Sequence, residues 1–206
     1  MMRIQTSSVA AAHRAPSLVH WSPAFAPPGS TAIAQRISGK GREVSDVHVR
    51  PVSPSDGDRI QQLVRRLSLE SRRARFFSPI RELSPEQLER MTRMAFPEAV
   101  ALVAESPGPG EPTIVATAQY ACDEDGPEFA VLVDDSWHGR GIGRRLVRQL
   151  LAVAGIAGFP VLRGFVLASN AAMLALARSL GFALSADRDP TLVRVEKPLV
   201  RARLAT

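Results

Sequence analysis

The sequence predicts an α/β domain in which helices and strands alternate along the chain. First, an apolar strand at residues 128–133 leads through a glycine-rich loop into a helix. Second, two apolar segments, 99–105 and 113–122, have the pattern of neighbouring strands, because a loop rich in Pro and Gly joins them. Third, a helical pattern that begins at Asn170 and ends at Gly181 is followed by further strand-like segments.

Length and charge favour one domain with an additional tail. The chain has 206 residues, of which 45% are hydrophobic, and a formal net charge of +6. Residues 1–42 contain five basic and no acidic residues, whereas the remainder contains 21 basic and 20 acidic residues. The folded part is therefore nearly neutral and shows no basic face interleaved with aromatic residues, so we expect no nucleic-acid partner.

The single cysteine, Cys122, excludes an internal disulfide and suits a reducing compartment. No apolar run is long enough to cross a bilayer. The four histidines are scattered and show no metal-ligand spacing. We expect a cytoplasmic protein without a metal or a membrane partner, in which Cys122 is a core residue. The sequence leaves the oligomeric state open.

Residues 1–45 are predicted to be a disordered N-terminal extension, because they are rich in Ala, Ser, Pro and Gly and show no sustained period. Their lack of acidic residues resembles an organelle transit peptide. They lack a clear amphipathic helix, however, which favours a variable leader or a mis-assigned start. The folded domain is placed at residues 46–200, with 201–206 as a C-terminal tail.

The first part of the domain is predicted to contain one strand and three helices. Residues 47–50 form the strand, a helix with one apolar face begins at Ser53, and a second helical segment covers 71–76.

The third helix has the clearest start. Ser84 is its N-cap, Pro85 takes the first helical position, and Gln87 completes a capping box. The apolar spacing then predicts that this helix includes Ala95 and ends at Pro97.

The second part of the domain is built mainly of strands. The helix after the glycine loop and the helix that begins at Asn170 separate them. The predicted strands are 99–105, 113–122, 128–133, 161–167, 182–185 and 192–197.

The stretch 128–145 predicts an anion site, because a glycine loop meets a helix N-terminus with unpaired N–H groups. The loop contains three alternate glycines: Gly139, Gly141 and Gly143. Three arginines add full positive charges: Arg140, Arg144 and Arg145. Glycines allow a ligand to approach the backbone closely, so a phosphate or pyrophosphate is the expected anion.

Two nucleotide-binding motifs fail in this loop. No Lys follows the glycines as a P-loop requires, and Arg144 stands where the dinucleotide motif needs its third Gly. Residues 138–143 instead resemble the Arg/Gln-x-x-Gly-x-Gly/Ala loop of the GNAT N-acetyltransferases, with His138 in the Arg/Gln place. The resemblance implies that the loop binds the pyrophosphate of acetyl-CoA through His138, Gly139, Arg140, Gly141, Ile142, Gly143 and Arg144.

Residues 170–182 resemble the second GNAT signature, Asn-x-x-(small or Met)-x-x-Leu-x-x-x-Leu-Gly-Phe. Asn170 is by position a helix cap, and the family's Asn also contacts the cofactor arm. The two signatures together imply the GNAT acyl-CoA N-acyltransferase fold. That fold is a mixed, mostly antiparallel sheet of six to seven strands flanked by helices, with a splay between the fourth and fifth strands.

Further segments resemble the Pat-type bacterial protein lysine acetyltransferases, over roughly residues 48–198. The shared segments are 67–71, 75–77, 81–84, 101–104 and 128–130. This resemblance implies transfer of an acetyl group to a protein lysine, with a small amine as the alternative acceptor.

Acetyl transfer requires a neutral amine, so a base must accept a proton from an acceptor whose pKa is about 10.4. Glu128 is the candidate, because it opens the strand expected to flank the thioester and matches the Glu of the resembled group. A solvated charge at a strand end is the competing interpretation. Rival carboxylates that look like turn residues are Asp123, Glu124, Asp134 and Asp135.

The resemblance also implies that the N–H of Leu132 or Val133 polarises the thioester carbonyl. Many GNAT enzymes carry a Tyr where this chain has Ala177, so the leaving thiolate would depart without that acid. Ala177 and His138 keep open a second interpretation, a non-catalytic module that binds acetyl-CoA.

Overall fold

The computed structural model describes residues 47–92, 94–108 and 110–199. The predicted extension at 1–45 and the tail at 201–206 lie outside the described residues.

One mixed sheet of seven strands, in the order β1-β2-β3-β4-β5-β7-β6, forms the centre of the domain. The β4–β5 pair is parallel and the other neighbouring pairs are antiparallel, which confirms the predicted sheet. The strands are β1 His48–Pro51, β2 Ala99–Ser106, β3 Thr113–Asp123, β4 Gly126–Val133, β5 Val161–Leu167, β6 Ala183–Ala186 and β7 Leu192–Pro198.

Helices cover both faces of this sheet. In chain order the helices are α1 Gly57–Arg66, α2 Leu69–Phe76, α3 Pro85–Thr92, α4 Ile142–Ile156 and α5 Ala171–Ser179. The apolar stripes of α4 and α5 bury one core with Phe129 of β4, and those of α1 and α3 bury another with Leu132. Strand β4 is therefore packed on both faces, and its consecutive residues belong to different cores.

The predicted capping box at the start of α3 is confirmed. The N–H of Gln87 donates to Ser84 Oγ (3.2 Å), and the N–H of Ser84 donates to Gln87 Oε1 (2.8 Å). Both donors precede the first helical hydrogen bond, so the local sequence alone fixes this helix start.

The predicted end of α3 at Pro97 is wrong. The helix stops at Thr92, and Ala95 forms an isolated antiparallel bridge with Ala99, whose N–H donates to Ala95 O (2.7 Å). A proline disfavours helical geometry in the residue before it, so the chain leaves the helix ahead of Pro97 and turns into β2.

A network of two arginines and two carboxylates joins β1, α1 and β2. Arg50 donates to both carboxylate oxygens of Asp56 (2.7 Å each) and to Glu105 Oε1 (2.6 Å). Arg59 contacts the same two carboxylates, at 3.0 and 2.7 Å. Desolvation alone would raise the pKa of Asp56 and Glu105, but the hydrogen bonds and positive charges of Arg50 and Arg59, with the Ser53 N–H at Asp56, together outweigh it and hold both pKa values below normal.

We expect Glu105→Gln to lower the free energy of unfolding by about 3 kcal/mol at neutral pH, because it leaves two largely buried guanidiniums short of a carboxylate. The matched control is Glu82→Gln. Its pair with Arg65 is 56% exposed on both sides, so the loss should stay below about 1 kcal/mol. Urea unfolding measures both variants, and equal losses would contradict the role of the network.

The depressed pKa values also predict the pH dependence. A carboxylate with a lowered folded pKa stabilises fully above its unfolded pKa of about 4, and this contribution disappears as the pH falls through the folded value. The parent should therefore lose stability below about pH 4 more steeply than Glu105→Gln.

Candidate active site

The site is organised by the separation of β4 from β5. Their register contains one paired position, Glu128 with Arg163, whereas β3 and β4 pair along the whole of β4. Beyond Glu128 the two strands have no further paired position, which fits the predicted splay. The backbone edge of β4 that faces β5 therefore has no neighbouring strand over its second half.

Backbone alternation decides which N–H groups face this opening. The N–H of Asp134 donates to Val115 O of β3 (2.9 Å), so the N–H of Leu132, two residues earlier, also points to β3. The N–H groups of Val131 and Val133 point the other way, into the opening. Of the two predicted donors, Val133 therefore faces the opening and Leu132 does not, and Val131 is a further donor that the sequence had not indicated.

His138 lies beside the end of β4. Its exposed ring places Nε2 3.0 Å from Val133 O, and because a carbonyl only accepts, Nε2 is the donor. This contact satisfies the carbonyl of the last residue of β4, which also points into the opening. In this structure, the side chain at the Arg/Gln position thus braces the strand end.

The glycine loop has the geometry that its residues predict. Gly139 and Gly141 have φ values of 73° and 79°, in the left-handed region that favours glycine, and a Cβ at either position would point into open space. The N–H of Arg145 donates to Gly141 O (3.0 Å) as the first helical bond of α4. The preceding amides have no acceptor within the helix: Ile142, Gly143 and Arg144.

Gly143 differs from the other two loop glycines. Its φ is not positive, and a Cβ would lie 3.5 Å from Leu176 Cδ2 and 3.7 Å from Val133 Cγ2, which are ordinary contact distances. The structure therefore has room for the Ala that the family motif allows at this position.

Arg140 is held over the loop by an aromatic neighbour. Its guanidinium carbon lies 4.5 Å from the centroid of the Trp137 ring, and its Nη2 donates to Ser136 O (3.1 Å). The cation–π contact keeps this exposed positive charge beside the loop. The contact of Trp137 with Arg140 was not predicted from the sequence, although an aromatic residue three positions before an arginine could have indicated it. Arg144 lies on the exposed side of the first turn of α4.

Asp135, which follows β4, binds the N-terminus of α2. Its carboxylate accepts from Ser68 N–H (2.7 Å), Ser68 Oγ (3.0 Å) and Ser71 Oγ (2.6 Å). Desolvation opposes ionisation, but these bonds hold the pKa of Asp135 below normal. The interpretation of Asp135 as a turn residue omitted this role, because its partners lie far away in sequence.

Asp134 fixes α1 to the same strand end. Its Oδ2 accepts from Arg66 Nε (3.1 Å) and its Oδ1 from Ser136 Oγ (2.7 Å). Desolvation would raise the pKa of Asp134, but the bonds from Ser136 and Arg66 lower it overall. Both carboxylates after β4 are therefore committed to structural contacts.

Glu128 shares a sheet face with Leu132 and lies on the side covered by α1, α2 and α3. Arg75 of α2 is its charged neighbour. Desolvation lowers the pKa of Arg75 to about 10, and the charge of Glu128 acts in the opposite direction. Arg75 therefore stays protonated at neutral pH, with its guanidinium carbon 4.9 Å from the centroid of the Phe76 ring, and it interacts electrostatically with Glu128.

Arg163 of β5 is 3% exposed and binds the turn between β3 and β4. Its Nη2 donates to Asp123 Oδ1, and its Nη1 lies 3.4 Å from Asp125 Oδ2. Asp123 is therefore held in an ion pair, while Glu124 lies exposed at the turn. Desolvation also raises the pKa of Cys122 next to this turn, which favours its neutral thiol over a nucleophilic thiolate.

Asn170 is the N-cap of α5, and its Oδ1 accepts from Met173 N–H (3.0 Å). Ala177, at the position of the family's Tyr, is fully buried. Tyr120 donates its hydroxyl to Pro97 O (3.0 Å), and burial raises the pKa of that hydroxyl. Tyr120 therefore serves packing.

Among the described residues, no group of three or more His, Cys, Asp and Glu side chains is placed to hold a metal ion. In the same ranges, none of the helices has both the length and the apolar character needed to cross a bilayer.

The fold places the protein in a class of acyltransferases. A sequence model of the Acetyltransferase (GNAT) family matches residues 67–182, which is more than half of the chain. Acetyltransferase PA5475 of Pseudomonas aeruginosa is 35% identical over 146 residues, which are 70% of this chain and 77% of that protein. The chain therefore belongs to the GNAT acetyltransferase family, whose members are acetyl-CoA-dependent N-acyltransferases that act on an amine.

Solved structures share the fold. The GNAT domain of S. lividans PAT has a TM-score of 0.68 at 28% identity, over 74% of this chain and 90% of that one. The protein yncA of Salmonella typhimurium, solved with its cofactor acetyl-CoA, has a TM-score of 0.63 at 19% identity. The match to yncA covers 77% of this chain and 97% of that chain. These matches confirm the predicted GNAT fold.

The two kinds of glycine in the loop give a matched pair of variants. We expect Gly141→Ala to lower stability by about 1 kcal/mol and to weaken acetyl-CoA binding, because an L side chain is strained at a φ of 79°. Gly143→Ala should preserve both, because its Cβ meets ordinary contacts. Thermal unfolding and calorimetry test the pair, and an equal loss of affinity in both variants would contradict the geometry.

Proposed function

We propose that the protein transfers the acetyl group of acetyl-CoA to a primary amine, the side chain of a protein lysine, by direct attack of the amine on the thioester. The match to the GNAT domain of S. lividans PAT supports the lysine acceptor, together with the Pat-like segments around Arg75 and Glu128. One observation supports the proposal most strongly: the N-terminus of α4 follows closely on the edge of β4 that β5 leaves unpaired. The helix N-terminus suits the pyrophosphate of an acyl-CoA, and the strand edge suits its thioester.

The residues present fit the cofactor. The free amides at the start of α4 and the charge of Arg140 suit a pyrophosphate, and the open space around Gly139 and Gly141 lets it reach the backbone. The N–H groups of Val131 and Val133 suit the carbonyl of a thioester placed between β4 and β5. When bound, acetyl-CoA supplies an activated acyl group with a thiolate as leaving group.

Glu128 is proposed to accept the proton of the acceptor amine, directly or through a water molecule. Arg75, whose charge interacts with that of Glu128, brings a positive charge to the same site. The same charge disfavours the ammonium form of an incoming lysine and favours the neutral amine that attacks.

The leaving thiolate needs no dedicated acid in this proposal. A thiol has a pKa near 8.5, so it departs as a thiolate at modest cost. Ala177 has no proton to donate, and Tyr120 is committed to Pro97.

The test is incubation with acetyl-CoA and a bacterial cell extract, followed by mass spectrometry of acetylated lysines. A set of lysines acetylated only in the presence of the protein supports the proposal. Transfer to small amines alone would favour the second acceptor class. Binding of acetyl-CoA without transfer to any protein or amine would contradict the proposal in favour of a binding module.

We expect Glu128→Gln to lower the transfer rate by about 10²–10⁴-fold while leaving acetyl-CoA affinity unchanged, because general-base catalysis contributes a factor of this size. Glu124→Gln makes the same change at an exposed turn and should retain the parental rate. Steady-state kinetics with calorimetry checks both variants. A Glu128→Gln variant that transfers acetyl at the parental rate would remove Glu128 as the base.

A further inference from the structure

The point where β4 and β5 part is closed by an aromatic ring. Phe129 follows Glu128, the residue of β4 that pairs with β5, and its side chain is 4% exposed on the face covered by α4 and α5. The ring packs against Phe182, with the two centroids 5.2 Å apart. This contact fixes the Phe129 ring at the place where the opening between β4 and β5 begins.

The Phe129 ring crosses to the neighbouring strand because that strand has a glycine. Gly164 follows Arg163 on β5 and lies opposite Phe129. A Cβ built on Gly164 would lie 2.8 Å from Phe129 Cε1 and 3.1 Å from Phe129 O, closer than such atoms normally approach. Only glycine allows the ring to cover the backbone of β5 at this point, so Phe129 and Gly164 form one packed unit.

We propose that Phe129 limits the acyl donor to short acyl chains. The inference rests on the proposed placement of the thioester between β4 and β5, with its carbonyl on the N–H of Val131, and it adds the acyl specificity of that site.

The spacing along β4 supports this limit. Val131, whose N–H faces the opening, lies two residues from Phe129, which is roughly 7 Å along a strand. Contact with the ring takes about half of that length, since carbon atoms approach to roughly 3.5–4 Å. The remaining space suits the methyl of an acetyl group, and each further methylene meets the ring.

The test measures binding, so it needs no knowledge of the acceptor. Calorimetry on the full chain gives the dissociation constants of CoA, acetyl-CoA, propionyl-CoA and butyryl-CoA. We expect the parent to bind butyryl-CoA more weakly than acetyl-CoA. Phe129→Leu should reduce this discrimination on the order of tenfold, because one methylene in an apolar pocket changes selectivity by about that factor.

Two further variants make the result specific. Phe129→Met keeps the site apolar with a flexible side chain, and it should relax discrimination even if Phe129→Leu folds poorly. The control is Phe159→Leu. Phe159 is partly buried, contacts Tyr120 and lies just before the start of β5, whereas the opening lies towards the carboxyl ends of β4 and β5. It should leave discrimination unchanged.

The outcomes separate this inference from the proposed function. Equal affinities of the parent for acetyl-CoA and butyryl-CoA, or parental discrimination in both folded Phe129 variants, would overturn the role of Phe129 while acetyl-CoA binding stands. Failure of the parent to bind CoA and every acyl-CoA would overturn the proposed function and the inference with it.

Discussion

The site depends on the separation of β4 and β5 after one paired position. A strand inside a sheet has its N–H and C=O groups occupied on both edges, and such an edge offers nothing to a ligand. Because β5 makes no further pair with β4 beyond Arg163, the N–H groups of Val131 and Val133 become available at the centre of a well-packed domain. The packing of Phe129 over Gly164 marks where this separation begins.

The rest of the structure holds the free end of β4 in place. Asp134 and Asp135 bind α1 and α2 on one face, and His138 satisfies the last carbonyl of the strand. The chain then turns through two left-handed glycines and begins α4 with its amides exposed. One short segment thus links the strand edge and the glycine loop to helices α1 and α2, which explains why these features occur together.

Local features of this fold could be predicted from sequence, and contacts between distant residues could not. The box at Ser84, the cap at Asn170 and the loop glycines depend on neighbours within a few residues, and their predicted structure appears as expected. The contact of Asp135 with Ser68 spans 67 positions, so its carboxylate resembled an ordinary turn residue. Ala95 was misplaced because its apolar spacing outweighed the effect of Pro97. The choice between Leu132 and Val133 needed the register of β3, which the sequence does not contain.

In the proposed function, one acetyl-CoA molecule spans the start of α4 and the opening between β4 and β5. A crystal structure of the full chain with acetyl-CoA would show this placement. We expect the pyrophosphate within hydrogen-bonding distance of the amides of Ile142, Gly143 and Arg144, with the thioester carbonyl facing the N–H of Val131 or Val133. Acetyl-CoA bound elsewhere, or with its acyl end outside the opening, would rule this placement out.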